Sequence, residues 1–485
     1  MSLTISRLTR LGLTSSAVAL AWVALASTAG AAVSVHRFWM PGSAAPNTPL
    51  SLDKVGVIKI SSGPLVGPRQ VKNVLVLEPG TSAAAGYFVP FAKWLVEKAP
   101  GWQVWAVERR ENLLEDQSML NKFKRGEVTP LQFFRFYLGW LAEKDEEPHL
   151  QILSESRAIK DGGREWGMNV AVEDLHNVIE AAKALGGKVV LGGHSLGGSV
   201  VTAYATWDFG GKPGAEGLSG LVYDDGGSSP IPVSAKEAEE SLTKLSTKTP
   251  WLAFGGIPAP ILGLFGVVGS TLANLAPNET SLLGKWPVLP ESLKTRNSKG
   301  EVVPSTNEAG FGYGINVGTS PPNLAAAQVH AGAGIVEQGP GEPWTWNGAG
   351  AITPLQRYAE MLSGTGLRSV NGSEWYFPER LTIDTGAVAE GNANPAQTVL
   401  GEHAIHGSEL PTSLHILAIN SELDKLFGEG FNTLKAAEVL ASQSKIPSAN
   451  LTLVNVESTY AHNDPAGAFP TNEFMSHLVP FLEGL

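Results

Sequence analysis

Short runs of apolar and β-branched residues alternate with amphipathic segments along most of this chain. Runs typical of buried strands cover residues 55–60, 71–77, 103–107, 188–191, 220–223, 414–419 and 450–456. Apolar residues at helical spacing cover 84–98, 130–141, 170–185, 429–442 and 474–485. Strands that alternate with helices in this way predict an α/β fold.

The alternation breaks off in the middle of the chain, between residues 231 and 409. Residues 251–278 carry no charge, and glycines and prolines interrupt their apolar run. This pattern favours the core of an inserted unit, or a lid facing a greasy substrate, over a transmembrane helix. Residues 309–350 are rich in Gly, Ala and Pro, which is typical of a long irregular loop.

The N-terminus has the pattern of a secretory signal peptide. Arg7 and Arg10 precede an uncharged stretch, 11–35, that includes the small residues Ala29-Gly30-Ala31-Ala32. We expect removal of residues 1–31, with cleavage after Ala31 or Ala32, and therefore export. An uncleaved anchor is the alternative, since the stretch is long enough to span a bilayer. Residues 32–52 contain several prolines and are interpreted as a linker or N-terminal arm.

Composition narrows the classes of function. The formal net charge of −11 argues against a nucleic-acid partner and disfavours anionic membrane surfaces. The chain has no cysteine, which excludes disulfides, thiolate metal sites and a cysteine nucleophile. The sequence does not indicate an oligomeric state.

The most informative motif is Gly193-His194-Ser195-Leu196-Gly197, which lies between a predicted strand and a predicted helix. It matches the G-x-S-x-G pattern of a nucleophile elbow, where a serine lies on a strained turn with its hydroxyl exposed. The free N–H groups of the following helix favour a developing negative charge. A glycine-rich structural turn with an idle serine is the alternative. His194, inside the motif, is expected to face away from the site.

On this motif and its context, the chain resembles the α/β-hydrolase superfamily, in its serine-dependent esterase and lipase branch. The resemblance covers residues 53–230 and 410–485, which we assign to two parts of one core. It implies a mostly parallel central sheet flanked by helices, with residues 231–409 inserted as a cap or lid. It implies neither a metal nor an organic cofactor.

The resemblance also implies a catalytic triad in the chain order Ser, Asp or Glu, His. His462 follows the last predicted strand and matches the catalytic histidine of the family in place and neighbours. The acid is expected after the preceding strand, which favours Asp424, with Glu422 as the local alternative. Asp224 or Asp225, after the earlier strand 220–223, is a further alternative.

A glycine turn, Pro79-Gly80, lies where the family places half of its oxyanion hole. By position, the backbone N–H of Thr81 is the first predicted donor, and that of Leu196, directly after the nucleophile, is the second. Glu108-Arg109-Arg110 is similar to the Asp-Arg-x-Gly segment of many family members. We interpret Arg109 and Arg110 as structural ion-pairing residues.

These features predict a secreted serine hydrolase that cleaves carboxylic esters through Ser195, His462 and Asp424. The partner expected is a small-molecule or lipid-like ester, without nucleic acid and without a membrane anchor once the signal peptide is removed. The apolar run 251–277 hints at hydrophobic acyl groups. The same triad could serve a lipase, an amidase or peptidase, or an acyltransferase. A non-catalytic binding protein on a hydrolase scaffold is the alternative from another class.

Overall fold

The computed structural model describes residues 33–64, 67, 70–142, 157–227, 233–254, 257–364, 366 and 370–485. The predicted signal peptide and both of its cleavage points lie outside these residues. The predicted boundary between core and insertion, at residues 230 and 231, also lies outside them.

An eight-stranded sheet forms the centre of the fold, with strand order β1-β2-β4-β3-β5-β6-β7-β8. Strand β2 runs antiparallel to β1 and β4, and the other neighbouring strands pair in parallel. The prediction of an α/β fold with a mostly parallel sheet is therefore confirmed. The strands are β1 Ser34–Pro41, β2 Lys54–Ser61, β3 Asn73–Glu78, β4 Trp102–Glu108, β5 Val189–His194, β6 Gly220–Asp224, β7 His415–Asn420 and β8 Leu451–Asn455.

Strand β1 corrects the interpretation of residues 32–52 as a linker or N-terminal arm, since residues 34–41 are part of the sheet. Its residues pair with β2 over the full length of both strands, from Ser34 opposite Ser61 to Pro41 opposite Lys54. The only proline in β1, Pro41, lies at the last position of an edge strand, where a missing N–H costs little. The prolines that signalled a linker otherwise lie in the turn before β2.

Helices cover both faces of the sheet. Helices α1 and α16 pack on one face, and α5, α6 and α14 pack on the other. The helices are α1 Val89–Lys98, α2 Ser118–Lys124, α3 Pro130–Leu138, α4 Arg157–Gly163, α5 Met168–Lys183, α6 Leu196–Thr206, α7 Ala235–Ser246, α8 Ala259–Leu275, α9 Asn307–Ile315, α10 Leu355–Ser363, α11 Glu379–Thr385, α12 Pro395–Leu400, α13 Leu423–Phe427, α14 Thr433–Gln443, α15 Asp464–Gly467 and α16 Glu473–Gly484.

The insertion between β6 and β7 packs into the same body as the sheet. Its uncharged run forms α8, which contacts α3, α9 and α10, and the aromatic side chains of α3 are buried against it. Part of the predicted irregular loop is regular: α9 reaches Ile315, and Gly334–Val336 pairs with Thr345–Asn347. Across the described ranges, no helix is both long enough and apolar enough to cross a membrane.

Candidate active site

Ser195 lies at the tip of the turn between β5 and α6, in a backbone conformation that few non-glycine residues adopt. Its φ is 55° and its ψ is −126°. Its N–H donates to the carbonyl oxygen of Asp224 on the neighbouring strand, at 3.1 Å. Such local strain persists only where surrounding contacts over-determine it, and it is typical of functional residues.

The turn after β3 lies directly against the nucleophile. A Cβ at Gly80 would lie 2.8 Å from Cβ of Ser195 and 3.0 Å from the carbonyl oxygen of His194. Only glycine therefore allows this approach, and it brings the next residue, Thr81, to the site.

His462 is buried in the loop after β8, and its Nδ1 lies 2.6 Å from Oδ2 of Asp225. Because a carboxylate only accepts, Nδ1 carries the proton and Nε2 is left as the basic nitrogen. The ring of His462 lies 4.6 Å from the ring of His194, centroid to centroid, which places it beside the turn that carries Ser195. The structure thus brings the predicted serine and histidine to one edge of the sheet.

The prediction of Asp424 as the acid partner is wrong: the carboxylate bound to His462 is that of Asp225. Asp424 instead accepts hydrogen bonds from the side chain of Asn432, at 2.6 Å, and from the N–H of Lys425, at 2.9 Å. Strands β6 and β7 are parallel neighbours, so the turns after both strands end side by side. Sequence order alone left both turns open, and the acid lies on the earlier one.

The turn in which the acid was expected supplies the groups that hold Asp225. The N–H of Ser421 donates to Oδ1 at 2.6 Å, and its hydroxyl donates to Oδ2 at 2.5 Å. The N–H groups of Glu422 and Leu423 both donate to Oδ2 at 3.2 Å. Burial by itself would raise the pKa of Asp225, but the hydrogen bonds from His462 and Ser421 outweigh it, and the pKa is lowered from its usual value. Asp225 therefore stays ionised.

Asp224, the other carboxyl of this pair, has the opposite environment. It is buried, and neither of its carboxyl oxygens has a hydrogen-bond partner among the described residues. Burial raises its pKa well above the usual value, and the charge of Asp225 raises it further. The surroundings thus separate the two adjacent carboxyls, since they lower the pKa of Asp225 and raise the pKa of Asp224.

His194 faces the site, contrary to the expectation that it points away. Its Nε2 lies 3.1 Å from the carbonyl oxygen of His462, so Nε2 is the protonated nitrogen. Burial lowers the pKa of His194 to about 3, so the ring is neutral. Tyr87 stacks on His194 and donates from its hydroxyl to Asn463, the residue after His462, at 3.0 Å. We call residues 456–463, between β8 and α15, the histidine loop. These contacts hold it against the turn that carries Ser195.

The predicted oxyanion donors lie on either side of the nucleophile. Within the described ranges, the N–H groups of Thr81 and Leu196 have no hydrogen-bond acceptor, and Leu196 begins α6, where such groups are free. The assignment of these two groups as oxyanion donors stays a prediction.

A strained serine between a parallel strand and a helix, with an acid and a histidine following it in chain order at the same sheet edge, is the arrangement of the α/β-hydrolases. The chain has the α/β-hydrolase fold.

Solved structures similar to this chain include several hydrolases at low identity. A soluble variant of monoglyceride lipase from Saccharomyces cerevisiae is 14% identical, with a TM-score of 0.36, over 92% of this chain and 94% of that one. A carboxyl esterase from Bacillus coagulans is 11% identical (TM-score 0.37, 93% and 98% covered). Epoxide hydrolase A from Mycobacterium thermoresistibile is 12% identical (TM-score 0.38, 93% and 99% covered). No protein-family model and no curated protein sequence matches the chain.

Arg109 fixes the turn after β3. Its guanidinium donates to the carbonyl oxygens of Pro79 and Gly80, both at 2.9 Å, and of Ala83, at 3.0 Å. Because these carbonyl oxygens point toward Arg109, the N–H groups of the backbone between them point away from the guanidinium. We call residues 79–83 the oxyanion loop. The prediction that Arg109 is an ion-pairing residue is confirmed by its contacts to Glu78, at 2.9 Å, and Glu374, at 2.6 Å.

Glu374 brings the insertion into this network. It is fully buried, and its N–H donates to the carbonyl oxygen of Ser82 at 2.9 Å. Burial raises the pKa of both Glu78 and Glu374 to about 7, while the charge of Arg109 opposes that rise. The oxyanion loop is therefore clamped between the core and the insertion.

Within the described ranges, no group of three or more His, Asp or Glu side chains is arranged to hold a metal ion.

Replacing Asp224 with Asn tests the unpartnered carboxyl. A buried acid with a raised pKa costs stability that is absent below its unfolded pKa, about 4, and grows as pH rises toward the folded pKa. We therefore expect the free energy of unfolding of Asp224→Asn, relative to the wild type, to increase between pH 5 and pH 8 by up to about 1.4 kcal/mol per pH unit. Urea denaturation across this range measures the difference, and a pH-independent difference would contradict the assignment.

Replacing Arg109 with Met tests the clamp. The change leaves Glu78 and Glu374 without their cation and should lower the free energy of unfolding by about 3–5 kcal/mol. The loss should be larger at pH 9 than at pH 5, because both carboxyls ionise above their pKa of about 7. The matched control is Arg125→Met, which removes an exposed ion pair with Glu127 and should change nothing measurable. Equal stability of the two variants would show that the clamp is not structural.

Proposed function

We propose that this α/β-hydrolase is a serine hydrolase that cleaves carboxylic esters. Ser195 is the nucleophile and His462 is the general base. Asp225 orients the imidazole and stabilises the imidazolium that forms. The observation that carries the proposal is the 2.6 Å hydrogen bond between His462 and Asp225, beside a serine held in a strained turn. A serine hydroxyl becomes a good nucleophile only with such a base, itself oriented by a third group.

The chemistry follows from the placement of these groups. The hydroxyl oxygen of Ser195 attacks the ester carbonyl carbon while its proton moves to Nε2 of His462. The N–H groups of Thr81 and Leu196 stabilise the oxyanion, and each such donor is worth roughly 3–4 kcal/mol of barrier. The tetrahedral intermediate collapses, the alkoxide takes the proton from His462 and leaves as alcohol, and an acyl-enzyme remains.

Water completes the cycle. His462 removes a proton from water as the water oxygen attacks the acyl carbon, and the collapse of the second intermediate returns the proton to Ser195. Asp225 stays ionised throughout and stabilises the imidazolium each time it forms. The lowered pKa of Asp225 fits this role, since the carboxylate must not take the proton itself. Export through residues 1–31, and therefore action outside the cell, is part of the proposal.

Three variants test the assignment by hydrolysis of p-nitrophenyl butyrate. Ser195→Ala should abolish turnover, and Asp225→Asn should lower kcat by roughly 10⁴-fold, because the amide favours the wrong imidazole tautomer. Asp424→Asn is the matched control, because the carboxylate of Asp424 lies just after β7 and binds Asn432 rather than His462. This variant should keep near wild-type kcat. Loss of activity in Asp424→Asn with activity retained in Asp225→Asn would overturn the assignment of the acid. No turnover of any ester by the wild type would overturn the proposed function.

A further inference from the structure

A cavity of about 280 Å³ lies between the insertion and the oxyanion loop. The insertion contributes most of its wall, from α8, α9, α10 and the segments 281–295 and 321–327, and residues 81–83 line one end. The volume is close to the lower end of known ligand pockets, about 300–1,000 Å³, and far above what one water molecule needs. The space is therefore sized for a small organic group.

The lining of this cavity is uncharged. Of the described residues that form it, none is Asp, Glu, Lys, Arg or His. Leucine and glycine are its commonest residues, and the polar members are hydroxyls, such as those of Ser281 and Thr295, and the amide of Asn463. A charged ligand would lose its hydration here without a compensating partner, whereas an apolar group would gain from burial.

Glycines on facing helices create the open space. Gly266 of α8 and Gly314 of α9 both line the cavity. A Cβ at Gly314 would meet only a methyl group of Leu293, at 3.8 Å, and one at Gly266 would meet only the side chain of Ser373, its Oγ at 3.2 Å. Both glycines lie in helices at ordinary φ, where glycine costs stability relative to larger residues. The sequence thus keeps the cavity open at the expense of helix stability.

One part of the cavity wall adjoins the proposed reacting groups, although Ser195 and His462 do not themselves line it. Thr81, Ser82 and Ala83 of the oxyanion loop line it, and so does Asn463, next to His462. Tyr87, which stacks on His194, also contributes to this end. A group bound in the cavity would therefore emerge at the oxyanion loop, beside Ser195.

We infer that this cavity is the acyl-binding site and that the substrates are esters of uncharged, apolar acyl groups substantially larger than acetyl. The inference rests on the proposed function and names the substrate class of the same site. The acyl group is placed here, and the alcohol elsewhere, because three residues of the oxyanion loop line the cavity and only one residue of the histidine loop does. In the tetrahedral intermediate the oxyanion loop holds the acyl oxygen, while the histidine protonates the leaving alcohol.

The first test fills the cavity and follows acyl-chain preference. Gly314→Leu should lower kcat/KM for p-nitrophenyl decanoate at least about tenfold more than it lowers kcat/KM for p-nitrophenyl acetate. Gly314→Ala should give a smaller loss of the same kind. The matched control is Gly484→Leu, at a helical glycine with no atom within 4 Å of its Cβ position, which should change neither rate. Thermal unfolding of each variant verifies that the fold is intact.

The second test measures binding without catalysis, in the Ser195→Ala background, by titration calorimetry with 1-decanol. The uncharged chain should bind, and Gly314→Leu should weaken its binding at least about tenfold while Gly484→Leu leaves it unchanged. Equal decanol affinity and equal chain preference in Gly314→Leu and the wild type would overturn the inference while leaving the hydrolase proposal intact. Decanol binding that depends on Gly314 in a protein that cleaves no ester would overturn the proposed function but not the apolar site. Decyl acetate carries the long chain on its alcohol. If Gly314→Leu lost hydrolysis of decyl acetate but kept hydrolysis of p-nitrophenyl decanoate, the assignment of the cavity to the acyl group would be overturned.

Discussion

The close convergence of three strand ends around Ser195 is the constraint on which the rest of the site depends. The carbonyl oxygen of Asp224 holds the N–H of Ser195 from one side, and the backbone of Gly80 presses against its Cβ from the other. A Cβ at Gly226 would lie 2.6 Å from the nitrogen of Ser195, so that turn is equally close. A serine enclosed in this way keeps its strained backbone, because the surrounding contacts leave no room for it to relax.

The same convergence explains how the proposed triad assembles from distant parts of the chain. Asp225 follows β6, and the turn after β7 donates hydrogen bonds to its carboxylate from backbone N–H groups and from the hydroxyl of Ser421. His462 then closes the arrangement from the loop after β8. The acid is anchored by several donors, so it can remain charged although it is almost completely buried. The unsatisfied neighbour, Asp224, shows what the same burial does without donors.

Local pattern predicted the fold and the two most distinctive residues of the site. The elbow around Ser195 is readable because strand, glycine turn and helix follow one another within a few residues, and His462 is readable from its place after the last strand. The prediction of Asp424 as the acid was wrong because β6 and β7 are parallel neighbours and the turns after them lie side by side. Hydrogen bonds from the turn after β7 hold the carboxylate of Asp225, which lies in the turn after β6. His194 was misjudged for a related reason: its partner is a backbone carbonyl of the distant loop that carries His462. Strand β1 was missed because its prolines lie at and just beyond its end.

The insertion was the part about which the sequence indicated least, yet it completes the site. Glu374 forms an ion pair with Arg109 and donates its N–H to the carbonyl oxygen of Ser82 in the oxyanion loop. The insertion and the core therefore share one buried network. Helices α8 and α9 of the insertion enclose the uncharged cavity that leads to that loop. Neither contact could be read from composition, since a buried ion pair and a glycine-lined space depend on packing between segments far apart in the chain.

Activation of Ser195 by His462 and Asp225 can be measured by reacting the purified protein with a fluorophosphonate and mapping the adduct by peptide mass spectrometry. We expect one adduct, on the peptide that contains Ser195, and a much slower reaction in Asp225→Asn. An adduct on another residue, or none at all, would contradict that activation.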